Sequence, residues 1–89
     1  MPAAKRGRRH SVERVQTGVR MEKRLLQLLK ALAGTLDLSL GDLLEGIVLH
    51  ALEGKAPFSA RTMAKIETLR TVYGLTLSAR DSHLLVERR

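Results

Sequence analysis

The stretch RVQTGVRMEKRLL, residues 14–26, changes its periodicity in the middle. Up to Met21, apolar and β-branched side chains alternate with polar residues or glycine, and this period of two is typical of a strand. From Glu22 onward, leucines recur at the spacing of one face of a helix. The sequence therefore predicts a short β-strand from Arg14 to Met21 that leads directly into a helix.

Three helices are predicted after this strand. Cap residues and apolar periodicity place them at Leu25 to Leu36, Ser39 to Gly54 and Ser59 to Gly74. A short fourth helix is predicted over residues 79–87, because Ser78 and Asp81 repeat the spacing of an N-terminal cap. The chain therefore combines one strand with a largely helical body.

A single strand cannot satisfy its backbone hydrogen-bonding groups within a chain that is otherwise helical. The same strand from a second copy is the simplest partner, because antiparallel pairing about a two-fold axis is self-complementary. We therefore predict a homodimer that is joined by a two-stranded ribbon. Its core is predicted to contain Val15, Val19, Met21, Leu43, Leu44, Ile47, Val48 and Ala51.

Positive charge is concentrated at the N-terminal end. The 89 residues include 16 Lys and Arg against 9 Asp and Glu, a net charge of +7. Residues 1–24 hold eight of the basic residues and only two acidic ones. A basic end beside a nearly neutral body is typical of proteins that bind polyanions, and a solvated tail is the alternative. Residues 1–12 lack apolar periodicity and are predicted to be a disordered arm.

Several function classes lack the residues that they need. The chain has no Cys, and His10, His50 and His83 do not have the spacing of metal ligands. No Gly-rich phosphate loop occurs either, so we predict no enzymatic activity, no metal and no cofactor. No apolar run has the length of a membrane span, and we expect a cytoplasmic protein without a membrane partner.

The spacing of apolar and cap residues is informative beyond the predicted strand. The residues concerned are VQTGVRMEKRLL (residues 15–26), Leu29, Leu32-Ala33, Leu36 and Ser39-x-x-Asp42-Leu43-Leu44. In this spacing the chain resembles the ribbon-helix-helix (Arc/MetJ-like) family of DNA-binding proteins. The resemblance implies a mainly α fold and a ribbon-helix-helix dimer, in which the two chains share one two-stranded antiparallel β-ribbon. Residues 13–54 would be the DNA-binding and dimerisation domain, and residues 55–89 a C-terminal helical extension.

The resemblance also implies how DNA is read. The ribbon would enter the major groove with Arg14, Gln16, Gly18 and Arg20, of which Arg20 suits guanine and Gln16 suits adenine. Gly18 offers no side chain for a base. Phosphate contacts are expected from the basic arm, the start of the first helix and the N-terminus of the second, that is, from Lys5, Arg6, Arg8, Arg9, Lys23, Ser39, Leu40 and Gly41.

The predicted function is sequence-specific binding of double-stranded DNA by a homodimeric transcriptional regulator, a repressor, with tetramers on DNA left open. One alternative is an antitoxin-like or structural dimer that binds a protein partner through residues 55–89. Another is a sequence-independent architectural DNA binder, which the glycine at position 18 favours.

Overall fold

The computed structural model describes residues 9–88. They form three α-helices, α1 (Lys23–Thr35), α2 (Leu40–Leu52) and α3 (Ala60–Tyr73), followed by a single 3-10 turn, Ala79–Asp81. Residues 9–22, the N-terminal segment, and residues 82–88, the C-terminal segment, have no regular secondary structure. None of the helices in the described part of the chain is long and apolar enough to cross a membrane.

The helices begin and end where local chemistry favours it. The Ser39 hydroxyl accepts the N–H of Asp42 at 3.1 Å at the start of α2, and the Ser59 hydroxyl accepts the N–H of Thr62 at 3.2 Å at the start of α3. Glu22 caps α1 by accepting the N–H of Leu25 at 2.8 Å, and this hydrogen bond lowers the pKa of the Glu22 carboxyl. Gly74 ends α3 in the left-handed conformation, with φ 64°, which glycine adopts without steric cost. The three predicted helices are confirmed.

The core lies around α1, which packs against both other helices. Its buried residues come from all three helices and are Leu29, Leu32, Ala33, Leu43 and Ile66. Leu32 is the most deeply buried side chain among them, with 1% of its surface exposed. Because Ile66 belongs to α3, the third helix is part of the core rather than an appendage to a two-helix domain.

The predicted fold class is wrong. A ribbon-helix-helix fold requires a strand, and residues 9–88 contain none. Within these residues, the backbone from Arg9 to Met21 forms no hydrogen bond to other backbone groups. A strand exists only when its backbone groups are paired, and no other segment of the described chain forms a strand with a free edge. The alternation of residues 14–21 therefore belongs to irregular chain, which is exposed up to Arg20.

Some residues of the predicted dimer core lie in the core of the single chain, and the others are exposed. Leu43 is buried inside the chain's own core, and Met21, Leu44 and Ile47 are partly buried against it. The other predicted members are exposed, and they are Val15, Val19, Val48 and Ala51. The two valines of the N-terminal segment were expected to cover the helices, but 77% and 74% of their surfaces face solvent.

The predicted fourth helix is also wrong beyond its first turn. The cap that suggested it is present, since the backbone N–H of Ser78 donates to the Asp81 carboxylate at 2.8 Å. The helix does not continue, because His83 has φ 67°, outside the helical region. The apolar residues that follow, Leu84 to Val86, are exposed and gain no burial that would stabilise a helix.

Candidate nucleic-acid interface

Basic side chains follow one another from the N-terminal segment into α1. Arg9, Arg20 and Lys23 are exposed, and Arg24 is half-buried. Lys5, Arg6 and Arg8, for which phosphate contacts are predicted, lie outside the described residues, as does most of the predicted disordered arm. The described part of the candidate interface is therefore the stretch from Arg9 to Arg24.

Arg14 is bound to α2. Its guanidinium donates to both carboxylate oxygens of Glu45, at 2.9 and 2.8 Å, and to Asp42 at 3.1 Å. The hydrogen bonds and charge of Glu45 raise the pKa of Arg14, and the same contact lowers the pKa of the Glu45 carboxyl. A planar guanidinium matches this two-oxygen geometry. Arg14 therefore fastens the N-terminal segment to the start of α2.

Arg20 is bound to the C-terminal segment. Its Nε donates to Glu87 Oε1 at 3.1 Å, and its Nη2 donates to the other oxygen of the same carboxylate. This hydrogen bonding raises the pKa of Arg20. Both side chains stay accessible, with 83% of Arg20 and 62% of Glu87 exposed. The residue with the best predicted base-reading chemistry is thus exposed and engaged by a carboxylate of its own chain.

Two other arginines, Arg24 and Arg70, donate hydrogen bonds to backbone carbonyls, and the sequence pattern predicted neither set of contacts. Arg24 donates to Glu22 at 3.1 Å and to the carbonyl of Gly74 at 3.0 Å, which joins the start of α1 to the end of α3. Arg70 donates to the carbonyls of Leu75 and Leu77 at 3.2 and 2.8 Å. Helical periodicity does not reveal such contacts, because their acceptors are backbone groups of a distant or irregular segment.

The other two predicted base-reading positions, Gln16 and Gly18, are not held in place by packing. Gln16 is exposed. A Cβ atom added at Gly18 would meet nothing within 4 Å, so the glycine is not required by packing. The structure attaches Arg14 to α2 and Arg20 to the C-terminal segment, and it does not assemble the four positions on one ribbon face.

An open groove of about 1320 Å³ lies between the start of α1 and the C-terminal segment. Its charged lining residues are Arg20, Glu22, Lys23, Arg24, Glu87 and Arg88. Four of these six side chains are basic, which gives the groove an excess of positive charge. Such a surface attracts polyanions over a distance set by the ionic strength.

The N-terminus of α2 is less positive than the sequence analysis expected. Ser39 takes up the N–H of Asp42, and the cap leaves the N–H groups of Leu40 and Gly41 to other acceptors. Asp42 itself adds a carboxylate to the first turn of the helix. This charge opposes the attraction of the helix dipole for phosphate. The phosphate contact of residues 39–41 stays a prediction.

Comparison with known proteins adds no identification. No protein-family model matches the chain, no curated protein matches it, and no solved structure matches it. Within residues 9–88, no group of three or more His, Asp or Glu side chains could hold a metal ion. The function is therefore argued from the charges and contacts of this chain alone.

Proposed function

We propose that this chain binds double-stranded DNA and regulates transcription as a homodimer. The observation that carries the proposal is the separation of charge: residues 1–24 hold eight basic and two acidic residues. Three of the described basic residues of this set, Arg20, Lys23 and Arg24, line a groove with an excess of positive charge. DNA presents a dense line of phosphates, and contacts from Lys and Arg to these phosphates supply most of the sequence-independent affinity.

The proposed contacts do not require a paired ribbon. An irregular basic segment can follow the phosphate backbone or enter a groove, as the arms of many DNA-binding proteins do. In this arrangement Arg9 and Lys23 contact phosphates, and Arg20 contacts a base edge or a phosphate. Gln16 is the remaining residue that can read a base, and a regulator with base preference is our first choice over an architectural binder. The cytoplasm is the proposed compartment.

The proposed second copy would cover α2. On this helix Val48, Leu49 and Leu52 are 52%, 64% and 78% exposed, and we call them the α2 apolar face. In the described chain α2 packs against α1 and is contacted by Arg14, and neither of them covers this face. A second copy presents the same apolar face, and its pairing about a two-fold axis closes at two chains. Dimerisation would also double the positive charge offered to DNA.

A protein partner is the second candidate, and one observation favours it. In the C-terminal segment, Leu84, Leu85 and Val86 are 72%, 52% and 91% exposed. Three consecutive exposed apolar side chains are typical of a segment that binds another protein. This matches the antitoxin-like alternative, in which residues 55–89 contact the partner.

DNA binding is tested by fluorescence anisotropy with a labelled duplex at several salt concentrations. We expect the affinity of the wild-type chain to fall steeply as salt rises, because binding releases counterions from the DNA. Lys23→Ala should weaken binding to all sequences and reduce the slope of log K against log salt by about 1 per chain. Lys65→Ala removes an exposed charge on α3 and is the matched control. Absence of binding at low salt would refute the proposal.

A further inference from the structure

The candidate interface is partly covered by carboxylates of the same chain. Glu87 presents both carboxylate oxygens to the Arg20 guanidinium, as a phosphate group of DNA would. The two residues are separated by 67 positions in the sequence, so the contact depends on the fold and not on local chain geometry. The Glu87 carboxylate therefore accepts hydrogen bonds from Nε and Nη2 of Arg20, two of the donors that a phosphate would bind.

We propose that Glu87 competes with DNA for Arg20, and that DNA must displace the C-terminal segment to use this arginine. The inference rests on the proposed DNA-binding function and adds a regulatory contact to it. The free protein holds Arg20 in an intramolecular pair, and the bound protein exchanges the carboxylate for a group of DNA. Glu87 thus lowers the affinity for each duplex that contacts Arg20, by the free energy of the pair that the duplex displaces.

The Arg20 contact is suited to such an exchange. Both partners are mostly exposed, and exposed ion pairs contribute little to stability and are screened by salt. The C-terminal segment has no regular secondary structure, and its apolar residues are exposed rather than packed into the core. Displacing its end therefore exposes little further apolar surface, most of it on Leu85, which is 52% exposed. Arg14 differs, because its guanidinium makes three hydrogen bonds to two carboxylates that α2 holds in place.

The chain between α3 and the C-terminal segment is anchored, which limits the exchange to the segment itself. Arg70 binds the carbonyls of Leu75 and Leu77, and Leu75 is buried. The Ser78 and Asp81 cap then fixes the 3-10 turn. Beyond Asp81 the chain enters the left-handed conformation at His83 and continues as irregular backbone. The anchored turn keeps Glu87 close to Arg20 and raises its effective concentration without holding it rigidly.

The test compares Glu87→Gln with Glu53→Gln in the full chain. Glu53 is also an exposed glutamate in an ion pair, with Lys55 at 3.2 Å, and it lies outside the groove. Both variants change the net charge by the same amount, so a difference between them reports position. In the anisotropy assay we expect Glu87→Gln to bind duplex DNA about threefold to fivefold more tightly than Glu53→Gln. In an Arg20→Ala background this advantage should disappear.

The outcomes separate the inference from the function on which it rests. Equal affinities of the two glutamine variants, with clear binding of DNA by both, would refute the competition and leave the DNA-binding proposal intact. An advantage of Glu87→Gln that persists in the Arg20→Ala background would also refute it, because Arg20 would not be the group released. No binding by any variant at low salt would overturn both proposals.

Discussion

Replacing Ile66 by Ala tests whether α3 belongs to the core. Ile66 is 9% exposed and clusters with Leu29, Leu32, Ala33 and Leu43. The substitution removes three carbon atoms, worth about 2.4 kcal/mol of transfer free energy at roughly 0.8 kcal/mol each. A residual cavity adds to this value, so we expect a loss of about 2–4 kcal/mol in the free energy of unfolding. A domain of this size has about 4–13 kcal/mol in total, and the loss is therefore a large share.

Urea unfolding followed by circular dichroism measures this loss, with all variants at one protein concentration because dimerisation would stabilise the folded state. Val72→Ala is the control, since Val72 lies on the same helix and is 66% exposed. We expect its midpoint to stay close to that of the wild type. Coincident midpoints for the two variants would show that α3 does not pack on α1, and the three-helix core would be wrong.

Two further predictions concern α2. Leu52→Asp places a charge on the α2 apolar face, and we expect sedimentation to show a shift from dimer to monomer. Val72→Asp, at a similarly exposed site on α3, should leave the dimer intact. A dimer that persists in Leu52→Asp would show that the α2 apolar face is not the dimer interface. For Glu45, whose pKa Arg14 lowers, the stabilising contact is present above the ordinary carboxyl pKa and is lost as pH falls through the lowered value. NMR titration should show the Glu45 pKa rising toward its ordinary value in Arg14→Ala, and an unchanged value would refute the pairing.

The limits of the helices could be predicted because the signals are local. Ser39 and Ser59 each cap the helix that starts at the next residue, and Gly74 adopts the left-handed conformation that ends α3. A cap needs only neighbours within one turn of the chain. The starts of α2 and α3 therefore agree closely with the sequence analysis.

The strand could not be predicted in the same way. Alternation of side chains in residues 14–21 describes which sides an extended chain presents, but a strand also needs a partner for its backbone. Whether such a partner exists depends on the whole fold. In the described residues the regular elements are three α-helices and a 3-10 turn, so no strand is present to pair with residues 14–21. The same limit applies to the core, because the apolar periodicity of residues 59–74 predicts a helix without indicating which other helix it packs against.

The ion pairs of the candidate interface could not be predicted from local sequence patterns, because their partners are far apart in the sequence. Arg14 and Glu45 are 31 positions apart, and Arg20 and Glu87 are 67 positions apart. Composition revealed that the N-terminal end is basic, but it counted Arg14 and Arg20 as available charge. In the fold, both guanidinium groups already face carboxylates, which reduces the positive field that they present to a distant polyanion.

The Arg20–Glu87 ion pair implies an order for the proposed steps of DNA binding. Arg9 and Lys23 are exposed at the interface and would make the first, sequence-independent contacts with phosphates. Arg20 would follow, because it must first leave Glu87. Salt weakens both the ion pair and the phosphate contacts, but the phosphate contacts are more numerous and lose more. The affinity advantage of Glu87→Gln should therefore shrink as salt rises, while the overall affinity falls faster. Competition at a single exposed arginine is consequently strongest at low salt, where nonspecific binding is also strongest, and it lowers the affinity of the duplexes that contact Arg20.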